Sequence, residues 1–184
     1  NGFLDTEFLP AFRKTVAWSK KRVASAGMAM DSELNPENRT LSPSDFGFHN
    51  CLRRNNGQLV FLDFEYFGWD DPAKMICDFL LHPAMELSSS LKGRFVENML
   101  GTPKSDQVLL QRIETVYPLF GLKWCLILLN PFLSRYRLQR GIAGPPGTEQ
   151  NELLETRLEM ASLMLSTVGS EYEQFPYRDE RYAP

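Results

Sequence analysis

Residues 41–65 read LSPSDFGFHNCLRRNNGQLVFLDFE, and the rest of the chain is organised around them. Asn56-Gly57 is the strongest short turn signal, because a type I′ turn needs positive φ at both central residues. The apolar run at 59–62 is typical of a short buried strand. We therefore predict a β-hairpin with a two-residue loop. In that register Asn50 lies directly opposite Asp63, with Cβ atoms about 4.5–5.5 Å apart.

This pairing predicts a chemistry based on oxygen ligands. An amide oxygen from Asn50 and a carboxylate from Asp63 suit a hard divalent cation, which completes its shell with water and substrate phosphates. Asp45 lies one short loop before Asn50, where it can accept a proton from an incoming hydroxyl. Phosphoryl transfer in the protein-kinase manner uses these same three parts. The spacing Asp-(x)4-Asn also matches the loop that supplies the first two.

The motif Asp45-(x)4-Asn50, followed by DFEYFGWDDP at 63–72, resembles the aminoglycoside phosphotransferase / choline kinase family. The resemblance implies that Asp45 is the catalytic residue and that Asn50 and Asp63 hold the Mg²⁺ of bound ATP. Glu65 is the acidic residue two positions beyond the metal-binding Asp. It is expected either to bind the metal as well or to hold the backbone of the loop.

The resemblance also implies a fold. We expect an α+β, mostly α-helical chain, in which residues 1–184 form the C-terminal lobe of a protein-kinase-like phosphotransferase and the hairpin packs on a helical subdomain. The sequence contains no G-x-G and no valine-rich strand ending in lysine. The glycine-rich loop at 141–147 contains two prolines, which lack the N–H groups of a phosphate cradle. We therefore expect the nucleotide lobe to lie outside this chain and the isolated chain to be inactive.

Two other readings remain open. The family usually has His-Gly before the catalytic Asp, whereas this chain has Pro43-Ser44. That difference favours a catalytically dead, kinase-like binding module. The third reading is a metal-dependent hydrolase that uses His49, Asp45 and Asp63, and it is weakened because only one histidine is near in the sequence.

Composition limits the partners. The net charge is −3, so no basic footprint indicates nucleic-acid binding. The three cysteines are scattered, which favours reduced thiols and a cytoplasmic location over a disulfide framework. The run from Trp124 to Leu129 is too short to span a bilayer, so no membrane is expected.

The acceptor is predicted only as a small molecule with a hydroxyl group, and the family implies aminoglycosides, choline-like amines, homoserine or sugars. A cationic acceptor needs acidic side chains, for which Glu86, Glu97 and Glu114 are available. The aromatic residues after the hairpin line an acceptor pocket or, as is more usual, enter the core: Tyr66, Phe67 and Trp69.

The remaining pattern predicts helices. In the first, Phe8, Phe12 and Val16 share the inward face. The helix after the motif is capped by Asp70 or Asp71 and stopped by His82-Pro83, with Met75, Ile76, Phe79 and Leu80 buried. Asp78 on this helix either braces the loop or faces solvent. Further helices are expected at about 105–117, 117–133 and 151–167, with a kink or boundary at Pro118.

Overall fold

The computed structural model describes residues 2–101, 107–139 and 148–178, so the predicted loop at 141–147 lies outside the described residues. Within these ranges the chain is α+β and mostly helical, as predicted. The helices are α1 (Leu9–Ser25), α2 (Pro72–Leu81), α3 (Ser89–Leu100), α4 (Gln107–Leu128), α5 (Ser134–Gln139) and α6 (Thr148–Glu171). The strands are β1 (Thr40–Ser42), β2 (Cys51–Arg53), β3 (Leu59–Phe61) and β4 (Gly68–Asp70).

Helix α4 is the centre of the helical part and packs against α1, α2 and α6. It runs through Pro118 as one helix, so the predicted boundary there is wrong. Packing on three sides holds the backbone helical, and Ser19 Oγ donates to the Thr115 carbonyl at 3.0 Å in the turn that the proline disturbs. The helical segment Gln107–Phe132 is also long and apolar enough to cross a membrane, and half of its most apolar stretch is buried inside the fold.

The inward face of helix α1 overlaps only in part with the predicted one. Phe8 is buried as predicted and Val16 is half-buried, whereas Phe12 is 42% exposed. Thr15 and Ser19 are buried instead. The chain enters α1 through a π-helical turn at Leu4–Phe8. A π-turn carries an extra residue relative to an α-turn, so the apolar spacing before it does not predict the face after it.

Helix α2 matches its prediction closely. Asp71 is the N-cap, and its carboxylate accepts a hydrogen bond from the Ala73 backbone N–H at 2.8 Å. His82 is the C-cap. The predicted apolar stripe is buried and joins the main core cluster with residues of α3 and α4: Ile76, Phe79, Leu80, Val96, Leu100, Leu110 and Ile113.

Two small antiparallel sheets position the loop at 43–50, which connects β1 of one sheet to β2 of the other. Strands β2 and β3 form the predicted hairpin. Strands β1 and β4 form a second sheet, in which Thr40 pairs with Asp70 and Ser42 with Gly68. The β1–β4 pairing was not predicted. It ties the start of the 43–50 loop to the residues that lead directly into α2.

Candidate active site

The hairpin turn differs from the predicted one. Its loop has three residues, Asn55–Gly57, closed by hydrogen bonds from Gly57 N to Arg54 O and from Arg54 N to Gln58 O, both 2.9 Å. Gly57 has φ +84°. This is the turn in which a glycine in the left-handed region follows a type I turn and forms a bulge. Only one residue of Asn56-Gly57 therefore takes positive φ, and the register moves by one position.

Because of that shift, Asn50 faces Leu62, whose N–H donates to the Asn50 carbonyl at 2.8 Å. The predicted direct pairing of Asn50 with Asp63 is wrong. Asp63 follows by one residue, is exposed, and has φ +61°. Non-glycine residues held in this region carry strain, and such residues cluster at functional sites. Asn50 and Asp63 thus remain at the same open end of the hairpin, and Glu65 is exposed just beyond them.

Asp45 is held at two points by residues that follow it. His49 Nε2 lies 2.9 Å from Asp45 Oδ1, and Asn50 Nδ2 donates to the Asp45 backbone carbonyl at 3.0 Å and to Oδ2 at 3.2 Å. The Asp45 side chain is still 51% exposed. Because the amide nitrogen of Asn50 is used as a donor to Asp45, its amide oxygen is the atom available to a cation.

The segment before Asp45 is also braced, although it carries Pro43-Ser44. Ser44 has φ +67°, and its N–H donates to Ser42 Oγ at 3.0 Å. Lys74 Nζ on α2 donates to Ser44 Oγ at 3.2 Å. A serine and a lysine therefore support this part of the loop, at the position where the phosphotransferase motif that the sequence resembles usually has a histidine.

Lys74 belongs to a charge network centred on Asp78. The Asp78 carboxylate, 9% exposed as a residue, pairs with Lys123 of α4 and accepts a hydrogen bond from Trp124 Nε1 at 3.1 Å. Lys74 lies 3.6 Å from Asp78 and 2.7 Å from Asp70. Of the two readings predicted for Asp78, the brace is therefore the one observed.

His82 completes the site, and the sequence indicated it only as a helix terminator. Its ring stacks on His49 with centroids 3.7 Å apart and planes 1° apart, and it contacts Trp124 in a T-shaped arrangement with centroids 4.6 Å apart. Burial, and then the neighbouring His49, lower the pKa of His82. His82 is consequently neutral at pH 7, which removes charge repulsion from the stack.

The same side chains were tested as a metal site. Ligand atoms of Asp45, His49 and His82 lie within 4.8 Å of one another. An imidazole binds a metal in its own ring plane, so two parallel stacked rings do not direct their nitrogens at one ion. His49 Nε2 is already bonded to Asp45, and its Nδ1 is buried without a partner. The donor set at the hairpin end, an amide oxygen and a carboxylate, suits Mg²⁺ better than this histidine pair suits a transition metal.

The predicted acceptor residues are scattered. Tyr66, Phe67 and Trp69 are exposed, so the core reading of these aromatics is wrong. Glu86 and Glu97 are exposed on the surface. Glu114 is 7% exposed and lies 3.0 Å from Arg22 and 3.2 Å from Arg178. Its charge is therefore neutralised by arginines of this chain.

Comparisons with known proteins identify no relative. No family model matches the chain, and no match was found among the curated proteins or the solved structures.

Proposed function

We propose that this chain carries the catalytic loop and the metal ligands of an ATP-dependent phosphotransferase that phosphorylates a hydroxyl group of a small molecule. One observation carries the proposal. Asn50 and His49 hold an exposed Asp45 carboxylate in place, and the amide oxygen of Asn50 is left available beside the hairpin end that bears Asp63. A base next to two oxygen ligands is the minimum that kinase-type phosphoryl transfer requires of this part of the protein.

In the proposed reaction Asp45 accepts the proton of the acceptor hydroxyl. The hydroxyl oxygen forms a bond to the γ-phosphorus of ATP, the bond from that phosphorus to the β,γ-bridging oxygen breaks, and ADP leaves. Each Asp45 oxygen already accepts one hydrogen bond and keeps further lone pairs for the incoming hydroxyl. His49 and Asn50 therefore orient the base without saturating it.

Asn50 and Asp63 would hold Mg²⁺, which when bound neutralises charge on the transferred phosphoryl group. The fit is one of chemistry, since both residues offer the oxygen ligands that this ion prefers. The positive φ of Asp63 ends the strand and turns the chain at this end of the hairpin, a conformation that Asp tolerates better than most non-glycine residues. Glu65, exposed two residues on, is an additional oxygen donor at the same end.

The test separates metal binding from turnover. Mn²⁺, a paramagnetic substitute for Mg²⁺, is titrated into the chain while the imidazole signals of its two histidines are followed by NMR. We expect Mg²⁺-competable broadening of the His49 signals, at least tenfold weaker in Asp63→Asn and unchanged in the control Asp31→Asn, an exposed loop acid. Glu65→Gln tests whether the Glu65 carboxylate contributes to binding.

Turnover is measured in the full-length protein with MgATP and a panel of hydroxyl compounds. Asp45→Asn is expected to lose phosphate transfer by at least a hundredfold while retaining Mn²⁺ binding, and Asp63→Asn to lose both. Unchanged turnover in Asp63→Asn would contradict the proposal. Phosphorylation of any acceptor by the wild-type protein would exclude the catalytically dead reading.

A further inference from the structure

A cavity of about 320 Å³ adjoins the His82 side of the catalytic loop. Its wall includes His82 at the end of α2, Trp124 of α4, Tyr136 of α5 and Arg157 of α6. A nitrogen of His82 lies within 4.8 Å of an Asp45 carboxylate oxygen. The cavity is therefore within one small molecule's reach of the proposed base, and its volume is near the lower end of ligand pockets, roughly 300–1,000 Å³.

The charge of this cavity is positive. Among the described residues that line it, Arg157 is the cationic side chain and none is acidic. The positions three and four residues away on α6 are Leu153, Leu154, Met160 and Ala161, so no carboxylate of the same helix face pairs with the guanidinium. Its Nη1 lies 4.0 Å from Met160 Sδ. Within the described part of the chain no carboxylate forms an ion pair with Arg157, which lines the cavity as a guanidinium.

The cavity also offers aromatic surface. The indole N–H of Trp124 donates a hydrogen bond to Asp78, which fixes the orientation of the ring. The same ring packs against His82 in a T-shaped arrangement. A fixed aromatic wall packs well against the C–H face of a ring-shaped ligand. A guanidinium is the protein group best matched to carboxylate or phosphate, since its donors meet two oxygens at once.

Resting on the proposed function, we propose that the acceptor is an anionic hydroxyl compound whose carboxylate or phosphate pairs with Arg157 while its hydroxyl reaches Asp45. A cationic acceptor finds no carboxylate among the described residues of this cavity. Glu114 is paired with Arg22 and Arg178 at a different cavity. The bonds made and broken are those of the transfer described above. The anion stays paired with Arg157 throughout.

The experiment compares ligands that share one ring and differ in charge. Glucose 6-phosphate and glucuronate are the anions, glucose is neutral and glucosamine is the cation. Binding to the chain is measured by ligand-observed NMR and by the shift of the His82 imidazole signals. We expect both anions to bind at least tenfold more tightly than glucose and glucosamine. The ratio of the affinities for glucose 6-phosphate and glucuronate shows whether phosphate or carboxylate is preferred.

Arg157→Met keeps the aliphatic stem and is expected to remove the preference for anions. Arg157→Gln serves as a second neutral variant if the first unfolds, and Arg157→Lys should keep part of the preference. Arg94→Met, which removes an exposed arginine on α3, is the matched control and should leave the preference unchanged. Equal binding of the three charge classes, no binding of either anion at millimolar concentration, or an anion preference that survives Arg157→Met would overturn the inference.

Turnover in the full-length protein separates this inference from the proposed function. Arg157-dependent anion binding without phosphate transfer from MgATP leaves the anion site standing and removes the phosphotransferase. Phosphorylation of glucosamine at a rate indifferent to Arg157→Met keeps the phosphotransferase and removes the anion site.

Discussion

Gly121 is predicted to be the least replaceable glycine in the helical core. It lies on α4 where α6 crosses, and a Cβ built on it falls 2.1 Å from Cγ2 of Val168. Carbon atoms in contact sit about 3.5–4.0 Å apart, so one of the two helices has to move. Val168 is 1% exposed, and a β-branched side chain in a helix has one strongly preferred rotamer. The valine side chain therefore cannot change rotamer to relieve the overlap without a cost in free energy.

The change in the free energy of unfolding expected for Gly121→Ala is the sum of two opposing contributions. Replacing glycine by alanine inside a helix gains about 1 kcal/mol. Overpacking a dense core costs about 1–3 kcal/mol, and an overlap with a buried, rotamer-restricted side chain belongs at or above the upper end. We expect the free energy of unfolding to fall by about 2 kcal/mol, or Tm by about 4–8 °C for a chain of this length.

The assay is urea unfolding followed by circular dichroism, with a double-mutant cycle. Val168→Ala removes the methyl group at the contact, so adding it to Gly121→Ala should cost less than the sum of the single changes by at least 1 kcal/mol. Gly93→Ala on α3 is the control. Its Cβ meets nothing within 4 Å, and we expect a gain of about 0.5–1 kcal/mol. Full stability of Gly121→Ala, or simple additivity with Val168→Ala, would refute the close approach of α4 and α6.

Two further predictions concern the loop and the thiols. A Cβ at Gly47 falls 2.5 Å from His49 Cε1, so Gly47→Ala should displace the His49 imidazole from Asp45. We expect the NMR signals of that imidazole to shift and kcat to fall by about tenfold or more. Unshifted imidazole signals would contradict this prediction. Cys51 is half-buried, whereas burial raises the pKa of Cys77 well above its usual value and that of Cys125 to about 12. At pH 8 a thiol reagent should label Cys51 rapidly and the other two only on unfolding, since thiolates react; three equal labelling rates in the folded protein would be the opposite result.

Local rules predicted the elements whose causes are local. Helix α2 is an example, because Asp71, Pro72 and the apolar spacing that follows each act within one or two turns. The hairpin strands were predicted for the same reason. The register was not, because Asn56-Gly57 fits both a two-residue loop and a three-residue loop with its glycine in the left-handed position. A shift of one residue was enough to move Asn50 from Asp63 to Leu62.

The rest of the site depends on contacts distant in sequence. His82 reaches His49 across 33 positions, and Trp124 reaches Asp78 across 46. No periodicity or spacing rule links such residues in a single sequence. The signal that the sequence offered was Asp78, an acidic residue beside the apolar stripe of α2, since a carboxylate among apolar neighbours needs a charged partner such as Lys74 or Lys123. That reasoning predicts that Asp78 is paired but does not identify the helix that supplies the pair.

Trp124 and His82 connect the cavity to the loop that carries Asp45, the proposed base. The indole N–H is bonded to Asp78, and the indole ring forms part of the cavity wall. His82 contacts both that ring and His49, which in turn holds Asp45. A ligand that displaces the His82 ring must also disturb the stacked His49 ring that is bonded to Asp45. The cavity beside Arg157 is consequently better placed to select the proposed acceptor than the exposed aromatics after the hairpin, because its wall and Asp45 are supported by the same side chains.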